Sequence, residues 1–97
     1  MNAISTKNAP AAIGPYSQAI CIGDTIFTSG MIPVIPETGA IAGASVEEQA
    51  RQAFTNLKNL LEASGSSMDK VIKTTVFIKD MNDFKRINDI YSTFFKE

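Results

Sequence analysis

Apolar and polar positions change their period three times along this 97-residue chain. Residues Tyr16 to Ile22 read as a strand, and Thr25-Ile26-Phe27-Thr28-Ser29 reads as its return. Gly23-Asp24 lies between them, at the two-residue spacing of a tight hairpin. Gly30 then breaks the second strand. Met31 to Ile35 is apolar but holds Pro33, which predicts an edge strand or an extended loop. Pro36-Glu37-Thr38-Gly39 predicts a turn, because the proline presets φ and the glycine accepts a positive φ.

The period then becomes helical. Ser45-Val46-Glu47-Glu48 has the form of a capping box, with serine at the N-cap and glutamate three residues on. Behind it Val46, Ala50, Ala53, Phe54, Leu57, Leu60 and Leu61 recur at helical spacing, with polar residues over most of the remaining surface. Gly65 fits the glycine that ends a helix. Val71 to Lys79 returns to period two and is rich in β-branched residues. Ile72, Thr74, Val76 and Ile78 would share the face under the helices. Val71, Lys73, Thr75, Phe77 and Lys79 would share the other, apolar enough to meet a second subunit. Asp80 caps a second predicted helix, with Asp83 in its first turn and Phe84, Ile87, Tyr91, Phe94 and Phe95 on its apolar side.

The predicted order is β-β-(β)-α-β-α. It defines an α+β fold, a two-layer sandwich with a mostly antiparallel sheet and two helices on one face. Residues 1–97 make a single domain. A chain of this size buries only roughly 60–65% of the surface its unfolded form exposes, so association with further copies is expected. Ending on a helix is unusual for such a fold. The reading is that the last strands are missing and the domain is incomplete at its C-terminus.

Composition narrows the chemistry. The chain has 9 Lys and Arg against 10 Asp and Glu, scattered, with no basic face. That argues against RNA or DNA as a partner. It has no histidine and one cysteine, Cys21. An internal disulfide and Ser-His or Cys-His catalysis within the chain are therefore excluded, and a zinc site would have to be built from carboxylates. No apolar run nears the roughly 20 residues a membrane span needs, and the N-terminus does not read as a secretory signal. The expected location is the cytosol.

Four residues, Tyr16, Ser29, Gly30 and Asn88, are candidates for chemistry, and Cys21 is weighed beside them and assigned none. Tyr16, after Gly14-Pro15, reads as a core or interface tyrosine or as a phenol lining a pocket. Ser29 and Gly30 read as a strand-end turn or as a hydroxyl and a nearby N–H offered to an anion; Gly30 is expected to take a special backbone angle or to admit a close approach. Asn88 is a polar residue within the apolar stripe of the second helix, held by backbone or fixing a ligand or loop. Cys21, between Ile20 and Ile22, reads as a small buried residue.

These residues fall in recognisable motifs. Ile13-Gly14-Pro15-Tyr16-Ser17-Gln18-Ala19 resembles the opening motif of the RidA (YjgF) family. The likeness continues through Thr28-Ser29-Gly30-Met31-Ile32-Pro33, Glu48-Gln49-Ala50, Asn56-Leu57, residues 71–80 and Asn88-Asp89-Ile90-Tyr91. Met31 stands where many relatives are expected to have glutamine. The resemblance implies a chorismate-mutase-like fold and a homotrimer with clefts between subunits. It also implies cofactor-free, metal-free hydrolysis of reactive enamines and imines, such as 2-iminobutanoate and 2-iminopropanoate, to 2-oxo acids and ammonia. Tyr16 and Ser29 would be catalytic, and Gly30 and Asn88 would bind the small imino or oxo acid.

The resemblance also implies an arginine that pairs with the substrate carboxylate and a glutamate that positions water, on successive strands after the second helix. The sequence stops before both. Arg51 and Arg86 do not read as replacements for a bidentate clamp. Losing those strands is expected to leave sheet edge and the Phe94-Phe95 surface exposed. The alternative functions are a non-catalytic trimer that binds small carboxylates or regulates partner proteins, and an endoribonuclease or translation inhibitor, a label some members of the family carry.

Overall fold

The computed structural model describes residues 2–13 and 16–95. Three short strands form one antiparallel sheet in the order β1-β2-β3: β1 Asn2–Ile4, β2 Ala19–Ile22 and β3 Thr25–Thr28. The predicted hairpin is present. Ile22 pairs with Thr25 across the two-residue turn, and Gly23 takes φ 58°. β1 carries no strand pattern of its own and owes its form to pairing, Ala3 opposite Ile20 and Ile4 opposite Ala19.

β2 starts at Ala19 rather than Tyr16, and the cause is Gln18. Its side chain turns inward, 4% exposed. Its Oε1 accepts from Thr6 N at 2.6 Å, and its Nε2 lies in reach of the carbonyls of Thr6, Ala9 and Pro10. An irregular stretch of backbone is thus satisfied by one side chain, as buried polar groups must be. Pairing of the two strands continues past the ladder by one bond, Ser29 N to Gln18 O at 2.9 Å.

Residues 33–42 double back through the predicted turn. Gly39 has φ 74° and donates to Ile35 O, and Val34 bridges Ile41. Helix α1, Val46–Ala63, is capped as its sequence predicts. Ser45 Oγ accepts from Glu48 N at 3.1 Å and donates to Glu48 Oε1 at 3.0 Å. At the far end Gly65, φ 83°, donates to Glu62 O, and Ser66 N donates to Leu61 O. These are the paired bonds of a Schellman stop.

Alternate residues of β2 and β3 face α1. Ala19 packs with Ala9 and the fully buried Leu60, and Ile4, Ile26 and Met31 close over them. Phe54, further back on α1, meets helix α2, Phe84–Phe94. Its ring stands edge-on to Tyr91 at 5.5 Å and to Phe95 at 6.0 Å, and lies 5.6 Å from Phe94. The Phe94-Phe95 surface is therefore half-buried against α1 rather than bare. Asp80 caps as expected, but through a 3-10 turn, Met81–Asp83, that leads into α2; its Oδ1 accepts from Asn82 N.

The main departure from the pattern is residues 71–79. They form no ladder with any described residue. β-branched side chains favour an extended backbone, while a strand needs a neighbouring backbone to bond. Ile72 is 91% and Val76 42% exposed, so only part of the face predicted to lie under the helices does so; Phe77, on the other face, is 94% exposed. Thr74 is one such contact, its hydroxyl 3.0 Å from Tyr91 OH.

Candidate functional site

The other face of the hairpin is open. Ile20 and Phe27 pair on it, as do Ile22 and Thr25; Phe27 is 61% exposed. At the end away from the turn this face leads into a shallow cavity of about 440 Å³, lined by Tyr16, Ser17, Ala19, Ile20, Phe27, Thr28 and Ser29. Two of the four predicted site residues, Tyr16 and Ser29, therefore share one hollow. Its floor is apolar and its rim carries hydroxyls.

Ser29 is held firmly. Its Oγ donates to Ser17 O at 2.6 Å, and its N–H is bound to Gln18 O. With the hydroxyl proton engaged, the oxygen presents lone pairs and acts as an acceptor. Tyr16 has the opposite polarity. Its phenol oxygen accepts from Ile13 N at 3.4 Å, which leaves the O–H as a donor. The Gly14-Pro15 approach to Tyr16 lies outside the described residues.

Gly30 follows Ser29 directly but does not take a positive φ. The special backbone angle expected there is absent. What it offers is room, since a Cβ at Gly30 would meet no atom within 4 Å. Asn88 is not among the residues lining the cavity. It lies on the exposed side of α2, its carbonyl accepting from Ser92 Oγ, and Ile90 is the residue buried from that helix. The 100° step of the helix carries position 88 to the edge of the stripe, where the pattern had put it inside. Cys21 is half-buried, its thiol 3.5 Å from Gly23 O.

Neither arginine lines the cavity. Arg86 is engaged elsewhere, in a two-point pair with Glu47. Arg51 is on the exposed side of α1. A second hollow of about 310 Å³, between the C-terminal ends of the two helices, mixes Lys58, Glu62 and Asp69 with Met68 and Phe94 and holds none of the predicted residues. Among the described residues no group of three His, Cys, Asp or Glu side chains could hold a metal ion, and no helix is long and apolar enough to cross a membrane.

Two buried polar residues outside the cavity lining are absent from the candidates the sequence offered. Gln18 and Asn56 are the buried polar residues among those described. Asn56 could have been found from spacing, since positions 53, 56 and 60 fall on one helical face and only the middle one is polar.

A small α+β protein with an antiparallel sheet, two packed helices and a hydroxyl-rimmed hollow at the end of a hairpin defines the class. The family model described as endoribonuclease L-PSP matches residues 6–97, and the chain belongs to that family, the RidA family of the motif resemblance. The chain is 52% identical over 94 residues to the 2-iminobutanoate/2-iminopropanoate deaminase of Escherichia coli K12, covering 97% of this chain and 73% of that protein. It is 50% identical to a RutC family protein of Pyrococcus horikoshii, covering 97% of this chain and 75% of the other. Among solved structures, Escherichia coli TdcF with bound serine superposes with a TM-score of 0.93 at 49% identity, over 97% of this chain and 73% of TdcF.

Proposed function

We propose that this protein is an enamine/imine deaminase, hydrolysing 2-imino acids such as 2-iminobutanoate and 2-iminopropanoate to 2-oxo acids and ammonia. The observation that carries the reading is 52% identity, over nearly the whole chain, to a protein that bears that name. The hollow lined by Tyr16 and Ser29 supports it.

The reaction asks little of the protein. Water adds to the C=N carbon, a proton reaches nitrogen, and the carbinolamine expels ammonia to leave C=O. The site must hold the substrate and orient water and proton. In this reading the Ser29 oxygen accepts an N–H from the substrate nitrogen, and the Tyr16 phenol donates a proton to that nitrogen as it leaves as ammonia, regaining one from the added hydroxyl as C=O forms. The Gly30 backbone lines the approach, and Asn88, outside the hollow of the single chain, supports the wall of the assembled cleft. The substrate carboxylate needs a cation, and the Glu47-bound Arg86 is unsuited to that task. The working form is a homotrimer, with the open Ile20–Phe27 face at the subunit boundary and the cleft completed there.

The test is hydrolysis of 2-iminobutanoate released in situ by a threonine dehydratase, with surviving imine trapped by semicarbazide. Faster loss of imine in the presence of the protein is expected; an unchanged rate would overturn the reading. One observation favours a second reading, a binder of small carboxylates: the similar TdcF was solved with serine bound. Calorimetry with 2-oxobutanoate separates the two, since a binder gives heat without turnover. The endoribonuclease reading has the family's description behind it, but a chain without histidine and with a net charge of −1 lacks the usual means to grip and cleave RNA.

A further inference from the structure

Asn56 lies in the middle of α1 with 0% of its surface exposed. Its Nδ2 donates to Ile32 O at 3.0 Å and to Val34 O at 2.8 Å, and its Oδ1 accepts from Gln52 Nε2 at 2.8 Å. Asparagine is a poor helix former, and a buried amide is tolerated only when it is bonded. Leucine would suit α1 alone better. The amide is explained by what it holds, which is the segment that follows Ser29 and Gly30.

Among the described residues that segment has few other ties. Pro33 O accepts from Ala42 N at 2.8 Å, Val34 N turns back onto Ile32 O, and Val34 makes a single bridge to Ile41. On the near side, Ser29 is fixed to residues 17 and 18 by its N–H and its hydroxyl. Gly30 and Met31 therefore span two anchors, one at Gln18 and one at Asn56. Met31 packs on the core between them. Displacing the second anchor, at Ile32 and Val34, would carry through Met31 to the Gly30 backbone and then to the Ser29 oxygen.

We propose that Asn56 is a positioning residue, which fixes the Ser29-Gly30 span at the distance and direction the substrate requires. The inference rests on the deaminase reading above. Asn56→Asp keeps the size, removes both donors and sets an anionic oxygen against two carbonyls. The expected result is a rise of about tenfold in KM for 2-iminobutanoate with a smaller fall in kcat, since the loss is of alignment. A Ser29→Ala, Asn56→Asp double variant should lose less in kcat/KM than the product of the two single losses, because both changes act on one span. Gln52→Ala frees the amide without burying a charge and should raise KM a few-fold; it decides the matter if Asn56→Asp does not fold.

The experiment is steady-state kinetics of these variants and the unaltered protein, with circular dichroism on each. Native-like variants with unchanged KM, or a double variant whose losses multiply, would overturn the positioning role while leaving the deaminase reading intact. An inactive unaltered protein would overturn the deaminase reading, and this inference with it.

Discussion

Arg86 and Glu47 join the first turns of the two helices through a two-point ion pair, Nε to Oε2 at 2.7 Å and Nη2 to Oε1 at 2.5 Å, with Asp83 3.4 Å from the same guanidinium. The hydrogen bonds from Arg86, then Glu47's own backbone N–H, hold the Glu47 carboxyl at about 2, below its ordinary value of 4.5. The pair's contribution is therefore complete above pH 4.5 and lost as pH falls from there towards 2. Glu47→Gln should unfold earlier than the parent at neutral pH. The gap should close across that acid window and also in high salt, because both side chains are half-exposed and screened. Thermal melts at several pH values and salt concentrations measure it. A gap unchanged at pH 2 would mean that the pair does not govern the acid limb.

Two glycines with positive φ bracket α1, and they should respond differently to alanine. Gly65, φ 83°, has open space where a Cβ would go, so Gly65→Ala meets backbone strain alone, about 1–2 kcal/mol. Gly43, φ 61°, has the Glu48 carboxylate where its Cβ would go. Gly43→Ala carries similar strain and also pushes Glu48 off the Ser45 hydroxyl. Its loss in urea unfolding should be the larger, and the excess should vanish in a Glu48→Ala background.

The open hairpin face gives a test of assembly. Phe27 and Ile22 are both more than half exposed on it. If this face lies between subunits, Phe27→Glu forces a charge into an apolar contact and should reduce the mass seen by sedimentation from three copies to one. If the cleft is completed there, as proposed, deaminase activity should fall in parallel. A variant that stays trimeric would remove this face from the interface.

Much of this framework was legible because its signals are local. Ser45, Gly65, Asp80 and the Gly23 turn each act within a few residues, and each is found where the pattern predicts it. What escaped depends on distant partners. Asn2–Ile4 has no strand pattern and is a strand because β2 lies beside it. Residues 71–79 have the pattern and form no strand, because no described backbone lies alongside. The same division holds at the site. Ser29 and Tyr16 stood out by motif and share a cavity. Asn88, judged inward by its stripe, faces outward, and the inward polar residues are Gln18 and Asn56. A polar side chain is placed by the carbonyls it must satisfy, and those lie 22 and 24 residues away for Asn56.

Tyr16 and Ser29 offer opposite hydrogen-bond polarity to one hollow, so their variants should fail in different ways. Tyr16→Phe removes a donor and little else, because the phenol's one bond among the described residues, from Ile13 N, is long and exposed. A lost hydrogen bond to developing charge is worth about 1.5–3 kcal/mol, or roughly 10–150-fold in kcat/KM. Its effect should lie mainly in kcat, with stability unchanged within about 0.5 kcal/mol. Ser29→Ala removes the acceptor and also the 2.6 Å bond to Ser17 O, which ties the two strand ends together. It should therefore lose both activity and about 1 kcal/mol of stability. Steady-state kinetics with urea unfolding on each variant checks the pair. If Tyr16→Phe keeps full activity, the phenol is an interface residue, and proton delivery to the departing ammonia must come from another group or from water.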